Sequence, residues 1–255
     1  MQKRPRVVVS VQASVDGKVA LTRNALLMRQ PNTDLWASMT PESSESAVVD
    51  VMEVVKRQFG CNAVLEGSGS LVAEDEVPDE LPAYEGDPSG LYDHFLPADI
   101  TGQPSPPHMW FTVVDSRGRV RWTEKHPDWD ALVLVARSTP ADYLGYLRRE
   151  RICYLVVGEE RADLSQAIAA MGTELGITCI LSNAGGGLNG ALLRADLIDE
   201  LYLTLAPALV GGLGTPSIMD GEPLEVGEPS TRLQLLSAQT DTAGTVRLHY
   251  AVPRS

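Results

Sequence analysis

The stretch that decides the fold runs from 131 to 181: ALVLVA at 131–136, PADYLGYLRRE at 140–150, ICYLVV at 152–157, DLSQAIAAMGTEL at 163–175 and ITCIL at 177–181. Three of these runs are short, apolar and unbroken, as buried strands are. The two between them are longer, and in the second Leu164, Ala167, Ile168, Met171 and Leu175 keep the i, i+3, i+4, i+7 register of a helix with one buried stripe. Continuous apolar strands separated by helices imply a parallel sheet covered on both faces.

The alternation extends in both directions. A Gly-rich turn at 185–187 opens a short helix reaching about Leu197, and Glu200 to Ala206 is a further strand. Arg232 to Ala238 and Val246 to Val252 read as a terminal antiparallel hairpin. Toward the N-terminus, RVVVSVQAS (Arg6 to Ser14) is a strand broken by the turn Val15-Asp16-Gly17-Lys18. Thr40-Pro41-Glu42 offers a helix N-cap, with Val48, Met52, Val55 and Phe59 at helical spacing beyond it. Cys61 to Leu65 is a strand ending at Gly67-Ser68-Gly69-Ser70. Met109 to Val114 and Val120 to Trp122, flanking Asp115-Ser116-Arg117-Gly118, are expected to form a hairpin.

The chain has 255 residues, 44% of them hydrophobic, enough for one large globular domain or two small ones. Its 21 basic and 34 acidic residues leave a net charge of −13, which disfavours duplex nucleic acid and anionic membrane surfaces as partners. No apolar run approaches the roughly 18 to 20 residues of a membrane span, and the N-terminus lacks a secretory apolar region, so a cytoplasmic protein is expected. Residues 74–107 hold nine acids, seven prolines and no Lys or Arg; they read as a surface loop or lid inserted between ordered parts, not as a core element. Cys61, Cys153 and Cys179 are odd in number and lie in apolar runs, where free thiols behave as small hydrophobes. The histidines form no metal-binding pair.

Three strand-to-helix turns could meet a ligand. Asn183-Ala184-Gly185-Gly186-Gly187-Leu188 lets a backbone approach closely at the start of a helix, where free N–H groups attract phosphate, although a tight turn needs glycine for conformational reasons too. Gly67-Ser68-Gly69-Ser70 offers small residues and hydroxyls, or is an ordinary loop. Arg137-Ser138-Thr139-Pro140 places a guanidinium beside a helix start, suited to a phosphate monoester, or is plain capping with a solvated arginine. Three such turns on a mostly parallel sheet fit a dinucleotide across the strand ends. A G-x-G-x-x-G fingerprint, a Walker sequence and a nucleophile elbow are absent.

ASVDGKVA at 13–20 and GGGLNGALLRADLIDELYLTLAPALVGG at 185–212 resemble the riboflavin-biosynthesis pyrimidine reductases. The resemblance implies a dihydrofolate-reductase-like α/β fold, with a mostly parallel central sheet, flanking helices and an antiparallel C-terminal hairpin, over a single domain 1–255. It implies an NADPH-dependent reductase, a homodimer, and hydride transfer to a ribosylaminopyrimidine phosphate. Gly185, Gly186, Gly187 and Leu188 would meet the cofactor pyrophosphate, Gly67 and Ser70 would flank the dinucleotide, Arg137 and Ser138 would take the 2′-phosphate, and Gly158 would line the same cleft. Asp16 belongs to the turn near the reacting end, as proton donor or as turn former. Trp36 and Ser38 fall on the substrate side, with core packing the other role open to Trp36.

The substrate side also shows departures from that family. Asn183 replaces the usual Glu before the glycines and Ser10 the lysine of the first strand, while Glu74 or Asp75 stands for the acid after the serine-glycine loop. A downstream arginine of that motif is missing, as is the zinc deaminase module of bifunctional relatives, so a stand-alone reductase is expected. A reductase of the same fold acting on a pterin, folate or secondary metabolite, and a nucleotide-binding module without turnover, are the alternatives.

Overall fold

The computed structural model describes residues 4–26, 29–39, 51–102, 109–123 and 126–253, without the side chains of Val51 and Met52. The strands are β1 (Arg6–Ser14), β2 (Ala63–Gly67), β3 (Met109–Val114), β4 (Trp129–Val135), β5 (Cys153–Val156), β6 (Cys179–Ser182), β7 (Glu200–Ala206), β8 (Gln234–Thr240) and β9 (Val246–Ala251). The helices are α1 (Asn32–Met39), α2 (Val51–Phe59), α3 (Ala98–Thr101), α4 (Ala141–Arg149), α5 (Leu164–Leu175) and α6 (Gly186–Arg194). The expected helix start at Thr40-Pro41-Glu42 lies outside the described residues. Helix α1 has no counterpart in the pattern read from sequence.

The chain divides into two compact units, one of residues 1–5 and 61–180, the other of 6–60 and 181–255, with β6 straddling the division. In the first unit β2, β3, β4 and β5 pair successively, all parallel. Helix α5 forms where its stripe requires: Ala167, Ile168 and Met171 are buried, the Asp163 carboxylate caps the N-terminus by accepting the Gln166 N–H at 2.9 Å, and Gly176 ends it in the left-handed region. Helix α4 buries Tyr143, Leu144, Tyr146 and Leu147 against Val133, Val135 and Tyr154.

In the second unit β1 and β7 pair in parallel, β7 and β9 antiparallel, and β9 and β8 antiparallel. The α/β class, the mostly parallel pairing and the antiparallel C-terminal hairpin are as expected.

Three readings are corrected. Residues 109–122 are not a hairpin: both edges of β3 are taken by the parallel partners β2 and β4, and 120–122 form no strand. The buried Asp115 carboxylate instead accepts the N–H groups of Arg119 at 2.7 Å and Val120 at 2.8 Å, folding the chain away from the sheet. The acidic segment is partly core: Leu91 is buried among the α4 residues, the Leu91 carbonyl accepts the Tyr154 hydroxyl at 2.7 Å, and Phe95 bridges to Tyr154. Arg119 and Arg121 hold its start through the carbonyls of Ala73, Glu76 and Asp79 rather than through carboxylates. Finally, Cys61 and Cys179 are not free thiols but a disulfide, leaving Cys153 free and buried.

Candidate active site

In the first unit the parallel strands end at a common edge, the place where open α/β sheets bind ligands. Strand β2 runs into a single turn of 3-10 helix, Ser68–Ser70, whose Ser68 carbonyl accepts the N–H groups of Leu71 and Val72. The Ser70 hydroxyl reaches back and donates to the Glu66 carboxylate at 2.8 Å. Burial pushes the Glu66 carboxyl up to about 7, against the weaker opposing effect of that hydrogen bond. A Cβ on Gly69 would meet nothing within 4 Å, so this turn is open.

Beyond β3, at roughly 10 Å for two strand spacings, the turn after β4 carries Arg137 and Ser138. The Arg137 N–H donates to the Gly158 carbonyl at 3.1 Å and the Ser138 N–H to the Glu159 carbonyl at 2.8 Å, which brings three expected cofactor residues together. Behind them the buried Thr139 hydroxyl accepts the Ala136 N–H and donates to the Ser116 carbonyl. The Ser138 hydroxyl is spent on the Glu160 carbonyl at 2.7 Å. Arg137 is 59% exposed and among the described residues its side chain meets only the exposed Glu159, at 3.4 Å. Gly158 is required by the turn itself: its φ is +87° and a Cβ would stand 2.3 Å from the Arg161 carbonyl oxygen.

The second unit holds the Gly-rich turn and Asp16. Gly185 caps α6, and the three glycines that follow on that helix have different duties. A Cβ on Gly186 would lie 2.0 Å from the Ser217 carbonyl oxygen, and one on Gly190 1.6 Å from that of Asp220, so these two exist to let segment 217–220 lie on the helix. Gly187 is exposed, with nothing within 4 Å of its Cβ position, and Leu188 is half-buried. Asn189, which sequence reading passed over, locks the turn from inside: fully buried, it accepts the Ser182 hydroxyl and donates to the Ala184 carbonyl.

Asp16 accepts the Ser14 hydroxyl at 2.6 Å and the N–H groups of Val210 at 3.1 Å and Gly211 at 2.7 Å, which hold its carboxyl down to about 2. Its geometry is that of the turn former, tying the turn after β1 to the chain after β7. Ser10 is half-buried, in register with Tyr202. Trp36 is half-buried on α1 and Ser38, exposed, donates to the Leu35 carbonyl. Asn183 is half-buried before the glycines, and Glu74 is exposed. Glu66 was also missed from sequence; its signal is a lone acid inside the apolar run AVLEG.

Residues 5–247 match the RibD C-terminal domain. The chain belongs to that family. Among its relatives, the RibD C-terminal domain protein described here is 25% identical over 239 residues to the 2,5-diamino-6-ribosylamino-4(3H)-pyrimidinone 5′-phosphate reductase of Methanothermobacter thermautotrophicus, covering 93% of this chain and 94% of that one. It is 27% identical over 220 residues to the enzyme of the same name from Archaeoglobus fulgidus, covering 86% and 88%. Among solved structures, a pyrimidine reductase-like protein of Corynebacterium diphtheriae superposes with a TM-score of 0.65 at 16% identity over 98% of this chain and 93% of that one. Acinetobacter baumannii RibD gives 0.61 at 20% identity over 98% of this chain and 58% of that one. The resemblance to riboflavin-biosynthesis pyrimidine reductases read from 13–20 and 185–212 is therefore borne out, and the family is one of reductases. No helix among the described residues is long and apolar enough to cross a membrane.

Proposed function

We propose that this RibD C-terminal domain protein is an NADPH-dependent reductase of the riboflavin-biosynthesis type, converting a ribosylaminopyrimidine phosphate to its ribitylamino form. One observation carries the reading: the match to reductases of that name runs along nearly the whole of both chains. The residues present fit the cofactor, because among the described residues the exposed Arg137 guanidinium has only a solvated partner to give up, and the turns at Gly69 and at Gly187 are each open. When bound, NADPH supplies the hydride.

The chain's share is binding and orientation. Arg137 takes the 2′-phosphate by charge-assisted hydrogen bonds, with Ser138 and Gly158 shaping its loop. Gly67 and Ser70 flank the dinucleotide, while Gly185, Gly187 and Leu188 face the pyrophosphate and Gly186 keeps the turn closed behind them. Asp16 stays ionised at neutral pH; it holds the reacting-end turn and orders water there rather than releasing a proton. Ser10, Trp36, Ser38, Glu74 and Asn183 form the substrate side.

Asn183 and Ser10, in place of a charged pair, favour a second reading: a same-fold reductase of another heterocycle. Incubation of the protein with NADPH and the ribosylaminopyrimidine phosphate, followed by loss of nicotinamide absorbance and by rescue of a riboflavin auxotroph, tests the first. Oxidation of NADPH with rescue supports it; NADPH binding without reduction of this substrate overturns it. The exposed Leu233, Leu235 and Leu236 on and beside β8 support a homodimer, for which light scattering should give twice 27.5 kDa.

A further inference from the structure

We propose that Glu66 is a positioning residue of the dinucleotide loop, and that its carboxyl, neutral or ionised, sets how tightly that loop takes a dinucleotide as pH changes. The inference rests on the reading that Gly67 and Ser70 flank the cofactor.

The observations are geometric. Glu66 is the next-to-last residue of β2, preceded by the buried Val64 and Leu65 and paired with Val113 of β3. Its side chain is half-buried, and among the described residues its one partner is the Ser70 hydroxyl, across the single turn Ser68–Ser70. That bond closes the loop on itself. No arginine is bonded to it among the described residues: Arg119 donates to the carbonyls of Ala73 and Glu76, Arg121 to that of Asp79, and Arg137 pairs with Glu159. Neither β3, through Val113, nor the turn, through Ser70, brings a charged group to face it, so desolvation acts unopposed except by one hydroxyl.

A carboxyl in that position is neutral in mild acid and becomes an anion near pH 7. As an anion it stands at a strand end shielded from water, immediately before residues that flank the anionic dinucleotide, and like charges there repel. As a neutral group it holds Ser70 without adding charge. Proton uptake by Glu66 thus favours the bound dinucleotide, and the dinucleotide in turn favours the protonated carboxyl.

The test is NADPH titration of the full chain and of Glu66→Gln from about pH 5.5 to about 8.5. The comparison cancels the titration of the ligand's own phosphate. The wild-type Kd should rise about tenfold relative to that of Glu66→Gln across this range, with a midpoint near 7. Saturable binding with a constant ratio between the two proteins overturns the role of Glu66 and leaves the reductase reading standing. Absence of binding by both at every pH overturns both. If Glu66→Gln does not fold, Ser70→Ala replaces it: losing the hydrogen bond should move the midpoint of the pH curve upward, and an unmoved midpoint overturns the proposal.

Discussion

The strand-end turns of the two units use the same residue types to opposite ends. In the second unit the turn after β6 is packed everywhere but at Gly187: the chain at 217–220 lies directly on Gly186 and Gly190, Asn189 plugs the inside, and Asp16, close in sequence to β1, has its carboxylate taken up by one hydroxyl and two backbone N–H groups. In the first unit the turns after β2 and β4 are held by their own backbone but leave Glu66, Gly69 and Arg137 with few neighbours among the described residues. Glu66 has one hydroxyl, Gly69 faces open space, and Arg137 has one solvated ion pair. Each acid takes a serine hydroxyl, yet backbone donors hold Asp16 down to about 2 and burial lifts Glu66 to about 7. The lesson is that glycine, serine and a carboxylate mean packing where neighbours saturate them, and are candidates for ligand contact where neighbours do not.

The contrast breaks most visibly at the glycines. Gly190→Ala places a methyl 1.6 Å from the Asp220 carbonyl oxygen, so it should cost about 3 kcal/mol or more, or prevent folding. Gly187→Ala, in open space on the same helix, should leave stability within about 1 kcal/mol of wild type. Urea unfolding of the two variants measures this, and equal losses would mean that the turn is not packed as described.

The two carboxylates give opposite pH dependence. An acid whose value is raised on folding destabilises the fold once ionised, so the Glu66 penalty is absent below its unfolded value near 4.5 and grows as pH rises to about 7. Glu66→Gln should therefore gain on wild type by up to about 3 kcal/mol between mild acid and mild base, in unfolding followed at both pH values. Asp16, being lowered, contributes above its usual value near 3.8 and loses that contribution as pH falls through about 2. Asp16→Asn should melt below wild type at neutral pH and converge with it in acid, the smallest effect of the set. Between these two falls Arg137→Ala, which should weaken NADPH by about 1 to 3 kcal/mol and NADH hardly at all in parallel titrations.

What could be read from the sequence was whatever local pattern determines. Strands β1 and β7 and helix α5 fell where the apolar spacing put them, because each element's burial is written in its own residues. Pairing partners were not local. The turn signal at 115–118 is real, but the Asp115 side chain uses it to leave the sheet, and β3 is claimed by strands that lie outside that turn. Cys61 and Cys179 are 118 residues apart, and nothing near either marks the other. Composition marked 74–107 as a surface loop or lid, whereas Leu91 and Phe95 anchor its described part. At the site, the turns were found from glycine and serine alone, but that Gly186 and Gly190 are packing positions is decided by their contacts with Ser217 and Asp220, which come from distant chain.

The central claim, that these open strand ends take a nicotinamide dinucleotide, is tested most directly by titrating the purified protein with NADPH and with NADH while following nicotinamide fluorescence. Saturable binding with a preference for NADPH that Arg137→Ala removes is the predicted result. Failure of the wild-type protein to bind either dinucleotide would contradict it and leave the fold without the proposed reductase function.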